Sequence, residues 1–448
     1  MNKRIALLAI ALLATLAFST AIDAPVPRSL AFDSAHARIA VEGLTPAGVS
    51  AAGAGSVLLG DSPFAGRHGF GSCIGATTRG STLTVSYDTL CGVCGDGRLA
   101  YSWTSVPSKE FQVQERLLIS CRTDLLVVAA DPAFERAAGE QGEFRVALKN
   151  YFDGLGSDGI TARWVPLSSA KSQAAMSFSP GNAASGLRRV VRVSQPAIVL
   201  LVGDFPADAQ TAAQASSQKT LFARLPLSVD ASAAFFSRAA AARSQGPSFA
   251  KPAVVEYCGG DAACKAKARA LAGLSRSPCP SASCLSSLPP ESLSSFASQL
   301  ASGSKLFLVT PPESAAGADY SNAVLFVDVP LAASTALESG ALAVIAPTGM
   351  SFDWWKKGEG DTVESAGFSG AEVAFAYSAG GKAPGESVQA ARKAGGLFNN
   401  PAGNVRIGNA MLAQEQGGLL RSLAGQIAYY GDPTIGLDAA AVAKMRGN

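Results

Sequence analysis

Short runs of consecutive apolar residues recur along the chain from residue 124 onward. Such runs, rich in β-branched residues and bounded by Gly, Pro or a charged residue, are typical of strands that are buried on both faces of a parallel sheet. Polar residues do not alternate with apolar ones inside them, as they would in a half-exposed strand. The pattern therefore predicts buried strands at residues 124–130, 198–204, 252–257, 305–310, 323–329 and 341–347.

Segments with helical periodicity separate these runs. The stretch EFRVALKNYFDGLG predicts an amphipathic helix that ends at Gly154 and Gly156, and ITARWVPL after it predicts a further strand. Strands that alternate with helices imply right-handed crossovers and a mainly parallel α/β sheet with helices on both faces. The other predicted helices cover residues 186–195, 231–243 and 290–303.

The first part of the chain has a different pattern. Residues 22–120 contain short, Ser- and Thr-rich segments punctuated by Gly, which predict a small β-rich domain. The predicted organisation is a signal peptide at 1–21, the β-rich domain at 22–120, an α/β domain at 121–438 with a Cys-containing insert at 258–290, and a tail at 439–448.

The first 21 residues resemble a secretory signal. Lys3 and Arg4 precede an apolar run from Ile5 to Phe18, and small residues end at Ala21. That run is shorter than the ~20 residues that a spanning helix needs, so we expect cleavage and export, with an uncleaved anchor as the alternative. We expect no membrane span after cleavage, and a secreted or cell-envelope location.

Charge limits the classes of partner. The formal net charge is +3 over 448 residues, and the leader contributes two of the positive charges. So small a charge gives no electrostatic footprint for nucleic acid, and we expect a protein or peptide partner of unknown identity. We expect no cofactor.

The chain has eight cysteines, an even number that in an exported protein predicts disulfides. Two bridges are expected within the Ser-, Pro- and Gly-rich insert. In the upstream set, His68 with Cys73, Cys91 and Cys94 is an alternative zinc ligand set; disulfides are the preferred interpretation, so no metal is predicted. The eight positions are Cys73, Cys91, Cys94, Cys121, Cys258, Cys264, Cys279 and Cys284.

Several separated motifs occur in an order that resembles one family. They are DLLVVAADPAF, FRVALKNYFDGLGSDGITARWVPL, IVLLVGDFP, FARLPLS, LASGSKLFLVT, ESGALAVIAPTGMS, APGESVQAARKAG and AYYGDPTIGL. From about Cys121 to Leu437 the chain is similar to the gingipain-like cysteine peptidases, which belong to the caspase clan. The resemblance implies a caspase-like sheet, and it assigns Gly203 and Asp204 to a turn of the scaffold.

The resemblance also implies a catalytic His in a Gly-His-Gly sequence after one strand and a catalytic Cys after the next. Here the strand KLFLVT continues into Pro311, and AVLFVDV continues into Pro330 without a thiol. The chain has no Cys after Cys284 and no His after His68. A thiol with a pKa of ~8.5 needs a neighbouring imidazole to form and orient the thiolate, so no catalytic residue is predicted.

Two functions follow from this departure. The preferred one is an exported, catalytically inactive protein of gingipain-like fold that acts as a binding or scaffold module. The alternative is an active cysteine-type endopeptidase with displaced catalytic residues. Glu313 and Asp328, which we expect near the carboxyl ends of neighbouring strands, are the candidate cleft residues.

Overall fold

The computed structural model describes, with side chains, residues 123–139, 142–167, 184–205, 219–244, 320–327, 333–347, 370–393 and 427–447, except for single positions within them. Leu90, Val254 and Lys305 are among isolated positions described elsewhere. Further strands are described by their backbone alone. The chain divides into two compact units, Met1–Cys121 and Arg122–Asn448.

The first unit contains strands in two sheets, with strand orders β1-β7-β6-β3 and β2-β5-β4. The longest pairing joins β6 and β7, which are antiparallel from Gly95 opposite Ile119 to Ser105 opposite Lys109. That this region forms an independent β-rich domain stays a prediction. The strands are β1 (Ser29–Phe32), β2 (His36–Ala40), β3 (Thr45–Ala52), β4 (Ile74–Arg79), β5 (Thr82–Tyr87), β6 (Gly95–Ser105) and β7 (Lys109–Ile119).

The second unit contains one large sheet. Its strands are β8 (Leu125–Ala129), β9 (Ala162–Pro166), β10 (Ile198–Val202), β11 (Leu221–Leu225), β12 (Pro252–Glu256), β13 (Leu285–Ser287), β14 (Lys305–Val309), β15 (Val324–Val327), β16 (Ala343–Pro347) and β21 (Ile427–Gly431). Short two-stranded pairs are formed by β17 (Trp355–Lys357) with β18 (Val363–Ala366), and by β19 (Arg406–Ile407) with β20 (Ala410–Met411).

Helices connect the strands of the large sheet. They are α1 (Pro132–Gly139), α2 (Glu143–Ser157), α3 (Ala183–Ser194), α4 (Val229–Ser244), α5 (Ala333–Glu338), α6 (Gly370–Ala379), α7 (Pro384–Leu397) and α8 (Ala439–Gly447). No helix in the described residues is both long enough and apolar enough to cross a membrane.

The strand order of the large sheet is β13-β12-β14-β15-β16-β21-β11-β10-β8-β9. β10 is parallel to both β8 and β11, and β14 is parallel to both β12 and β15. β21 is antiparallel to β16 and also pairs with β11 through Arg224 and Tyr430. The predicted α/β class with a mainly parallel sheet is confirmed, and the runs that predicted β10, β14 and β15 are internal strands.

The core explains why these runs form strands. Every residue of β8, β10, β15 and β16 is buried, as continuous apolar runs covered on both faces require. Removing a Leu or Val side chain of this kind from water stabilises the fold by about 1.5–3 kcal/mol. On one face, Phe144 lies edge-on to Trp164 and Phe236, with ring centroids 5.8 and 6.0 Å away.

Several sequence predictions fall outside the described residues. They include the signal peptide at 1–21, the helix at 290–303 and most of the insert at 258–290. The helices predicted at 143–156, 186–195 and 231–243 are present as α2, α3 and α4.

Candidate functional site

The carboxyl ends of β14 and β15 are where the resemblance implies catalytic residues. The strands are parallel neighbours, with Lys305 opposite Val324 and Leu308 opposite Val327. The segments that follow them therefore leave the sheet at the same edge. Glu313 and Asp328 belong to these segments but lie outside the described residues, so their proximity stays a prediction.

The cysteines and His68 also lie outside the described residues. The disulfides, and the alternative zinc set, stay predictions. Within the described ranges, no three side chains from His, Cys, Asp and Glu come together as a potential metal site.

The carboxyl end of β10 is described, and it is closed. Gly203 has φ +77°, and its N–H donates to the carbonyl of Leu225 at 2.9 Å. A Cβ at this position would lie 2.5 Å from Cε2 of Phe134, whose ring comes from α1. The left-handed backbone and the ring both exclude a side chain here. The carboxyl end of β10 at Gly203 is therefore closed by packing, which is a structural role.

Asp204 follows this turn and is exposed. A carboxylate at such a turn can accept from the N–H groups of a following loop or helix, but the residues directly after Phe205 lie outside the described part of the chain. A bond of this kind is present after β8, where Oδ1 of Asp131 accepts from the N–H of Ala133 at 2.8 Å, inside α1. The side chain of Arg224 on β11 donates to the carbonyl of Phe205.

A buried polar cluster lies at the amino ends of β9 and β16. Its centre is Asp432, which is 2% exposed and follows β21. Oδ1 of Asp432 accepts from the hydroxyl of Tyr151 at 2.6 Å, from the hydroxyl of Thr434 at 2.6 Å and from the N–H of Thr434 at 2.8 Å. The N–H of Asp432 donates to the carbonyl of Leu342, directly before β16. The carboxylate therefore holds the closing turn against α2, and the backbone N–H holds it against β16.

Arg243, at the end of α4, joins the same cluster. Its Nη2 donates to the carbonyl and the hydroxyl of Thr434, at 2.9 and 2.7 Å. Its Nη1 pairs with Oδ2 of Asp158, which precedes β9. Burial disfavours the charge of the guanidinium, but Asp432, Tyr151 and Asp158 together outweigh burial and raise the pKa of Arg243.

The chemistry of this cluster is that of an anchor. Burial, followed by the negative charge of Asp432, raises the pKa of Tyr151 well above its usual value, so the phenol stays protonated and donates. The three hydrogen bonds that Oδ1 of Asp432 accepts come from Tyr151 and Thr434, and they hold the turn against α2. The adjoining cavity has about 260 Å³, which is below the usual size of a small-molecule pocket, ~300–1,000 Å³.

Sequence reasoning did not identify this cluster. Tyr151 lies on the buried face of α2 with Phe144, Leu148 and Leu155, a spacing that predicts only a core position. The one local signal is that a buried Tyr requires a partner for its hydroxyl. The partner belongs to the segment AYYGDPTIGL, 281 positions away, which the sequence analysis used only as a motif.

No family model matches the chain, and no curated protein matches it.

Proposed function

We propose that this chain is an exported protein with a gingipain-like fold that has lost the peptidase dyad and acts as a binding or scaffold module. The proposal includes a caspase-like sheet in the second unit and a small β-rich domain before it. The mainly parallel order of the large sheet supports the fold, and the apolar leader supports export.

One observation carries the proposal. β14 and β15 are parallel neighbours whose ends would present the family's His and Cys, but the chain has no His after His68 and no Cys after Cys284. Covalent acyl transfer requires a nucleophile and a base within hydrogen-bond reach, about 2.6–3.2 Å apart. Neither group is available in the sequence that follows these strands.

Substitute nucleophiles do not restore the chemistry. A serine hydroxyl is much less acidic than a thiol and depends more on a base, and an exposed carboxylate such as Glu313 is too weak a base near neutral pH. Ser321 lies before Val324, the first residue of β15, and is therefore at the amino end of that strand. Ser314 remains as the serine on the segment after β14.

The alternative is an active cysteine-type endopeptidase with displaced catalytic residues. Cysteines for it exist only upstream of β14, at Cys284 and before. It predicts turnover and covalent labelling of one of those cysteines. If the protein is inactive, we expect no turnover in the wild type or in any substituted variant.

The experiment incubates the purified, signal-cleaved protein with a broad peptide library and with thiol-directed covalent probes. We expect no turnover in the wild type, in Ser314→Ala or in the matched variant Ser321→Ala. Turnover that is lost on substitution of a residue between positions 305 and 333 would overturn the proposal. Turnover that is lost on substitution of a labelled upstream cysteine would establish the alternative.

The binding role has its own test. A photo-crosslinking side chain at Asp204, exposed at the carboxyl end of β10, is compared with one at Arg188, exposed on α3. We expect a discrete cross-linked protein from position 204 in intact cells and none from position 188. Identical patterns at the two positions would contradict a partner surface at this end of the sheet.

A further inference from the structure

A basic pocket of about 660 Å³ lies beside the amino end of β11. Among the described residues that line it, five side chains are cationic and one, that of Glu386, is a carboxylate. Five positive charges and one negative charge leave four net positive charges. The cations are Lys219, Lys382, Arg392, Lys393 and Lys444.

The cations come from three separate segments of the chain. Lys219 precedes β11, Lys444 is on α8, and the other three belong to α7 and the turn before it. No local run of basic residues is present, so the pocket exists only in the folded unit.

The walls of the pocket are fixed by hydrogen bonds. Nε2 of Gln389 on α7 donates to the carbonyl of Lys219 at 2.9 Å and joins two of the segments. The buried Nζ of Lys305 donates to the carbonyls of Ser378 and Lys382, at 2.8 and 3.3 Å, and so holds the turn that carries Lys382. The backbone positions of Lys219 and Lys382 are thus set by the surrounding fold.

The described residues supply too few carboxylates to match the positive charge of the pocket. The carboxylate of Glu386 accepts from the N–H of Ala383 at 3.3 Å and serves its own helix end. Nη2 of Arg392 donates to the carbonyl of Ile427 at 3.0 Å, and burial lowers the pKa of Arg392 to about 10. None of the ion pairs among the described residues includes any of the five cations. A bound anion would supply the missing counter-charge.

We propose that this pocket binds a small molecule with two or more phosphate groups. A monoester or terminal phosphate carries about −1.5 to −2 charges, so two of them balance the four net positive charges of the described lining residues. The volume lies within the range of small-molecule sites, about 300–1,000 Å³. Lys and Arg are the side chains that bind phosphate oxygens in proteins. This site does not depend on the peptidase-like end of the sheet.

The same chemistry occurs in free polyphosphates and in lipid headgroups, and the experiment separates them. Titration calorimetry of the signal-cleaved protein with inorganic tripolyphosphate tests the free form. Co-sedimentation with phosphatidylcholine vesicles that contain phosphatidylinositol bisphosphate, a lipid whose headgroup has two monoester phosphates, tests the headgroup. Binding in the first assay assigns a soluble ligand, and binding only in the second assigns a lipid.

The variant Lys219→Glu with Lys444→Glu changes two exposed positions that have no role in the core. We expect it to weaken binding about tenfold or more, because charge reversal acts on the close, partly desolvated pairs with the ligand. Arg188→Glu, at an exposed position on α3, changes the net charge by two units, as much as Lys219→Met with Lys444→Met, and should leave the affinity within about twofold. Lys219→Met with Lys444→Met removes the two charges without introducing carboxylates. We expect a smaller loss of affinity, and a loss in this variant too would show that misfolding of the Glu variant is not the cause.

The absence of binding in both assays would overturn the proposal. An equal loss in Arg188→Glu and in the pocket variants would also overturn it, because attraction to the overall charge of the protein would then explain the binding. Because the proposal is a single pocket, the wild-type protein should bind about one tripolyphosphate per chain, and a much larger number would contradict it.

Discussion

The hydroxyl of Tyr151 donates a 2.6 Å hydrogen bond to Oδ1 of Asp432, which lies 281 positions later in the chain. The bond joins α2, at the start of the second unit, to the turn after β21, near its end. Because both residues are buried and α2 also packs on α4, the interaction connects early and late parts of one core. The closing turn therefore contributes to the stability of the fold.

Replacement of Tyr151 by Phe should lower the free energy of unfolding by about 1–3 kcal/mol, because a buried carboxylate loses one of its donors while the apolar ring is kept. The measurement is urea denaturation near neutral pH, followed by circular dichroism. The loss should appear in the transition midpoint, with the slope unchanged.

Tyr430→Phe is the matched control, since Tyr430 is only partly buried and belongs to the same segment. We expect its unfolding free energy to stay within about 0.5 kcal/mol of the wild type. If the two variants lost equal stability, the bond between Tyr151 and Asp432 would not anchor the turn.

Gly203→Ala tests the closed end of β10. The substitution places a Cβ 2.5 Å from the ring of Phe134 and forces a non-glycine residue into φ +77°. The backbone contribution is about 1–2 kcal/mol, and the overpacking adds about 1–3 kcal/mol. Both contributions lower the free energy of unfolding, and thermal or urea denaturation of the variant measures their sum.

Two comparisons separate these contributions. Gly156→Ala, on α2 with nothing within 4 Å of the new Cβ, should be neutral or stabilising by up to about 1 kcal/mol. In a Phe134→Ala background, Gly203→Ala should cost only the backbone part. An undiminished cost in that background would show that Phe134 does not close this end of the sheet.

The strands were predictable because their signal is local. The run IVLLV is entirely apolar, and every one of its residues is buried in β10. The same reasoning located β15 and β16. The pattern carries no information on neighbours, so it did not predict that β21 lies between β16 and β11 and runs antiparallel to β16.

The polar sites were not predictable for the same reason. Asp432 and Tyr151 are unremarkable in their own segments, and only the folded core brings them together. The basic pocket combines residues from 219 to 444, and the small net charge of the whole chain, +3, conceals a local excess of cations. A Gly-His-Gly motif, by contrast, is contiguous in the sequence. Its absence can therefore be read from the sequence directly.

The insert at 258–290 should contain oxidised cysteines in the exported protein. Its composition supplies few apolar residues for a core, and two bridges would reduce the entropy of the unfolded chain instead. Peptide mapping by mass spectrometry without reductant should find Cys258, Cys264, Cys279 and Cys284 in two disulfides. Free thiols at these four positions in protein purified from outside the cytoplasm would contradict the prediction.

The stability of the second unit should rise with pH between about 8 and 10 because of Lys305. Burial lowers the pKa of this residue from 10.5 to about 8 in the folded protein. Between these values the unfolded chain holds a proton that the folded chain has released. The free energy of unfolding then increases with pH, by at most about 1.4 kcal/mol per pH unit.

The opposite sign applies above this window. Burial, then the charge of Asp432, raises the pKa of Tyr151 and of Tyr429 well above 10, so the unfolded chain loses protons that the folded chain keeps. Stability therefore falls as the pH rises beyond about 10. Measurements of the contribution of Lys305 must therefore be made below about pH 10.

Urea denaturation of the wild type and of Lys305→Met at several pH values between about 7.5 and 9.5 makes the comparison. The difference in unfolding free energy, wild type minus variant, should grow with pH, because only the wild type carries the residue whose charge the fold disfavours. The loss of the hydrogen bonds from Nζ shifts the difference by a constant and does not affect its slope. Lys149→Met, at an exposed position beside Asp153, is the control for the removal of a lysine charge from the surface. A flat difference for Lys305→Met would show that the buried ammonium keeps its ordinary pKa in the folded protein.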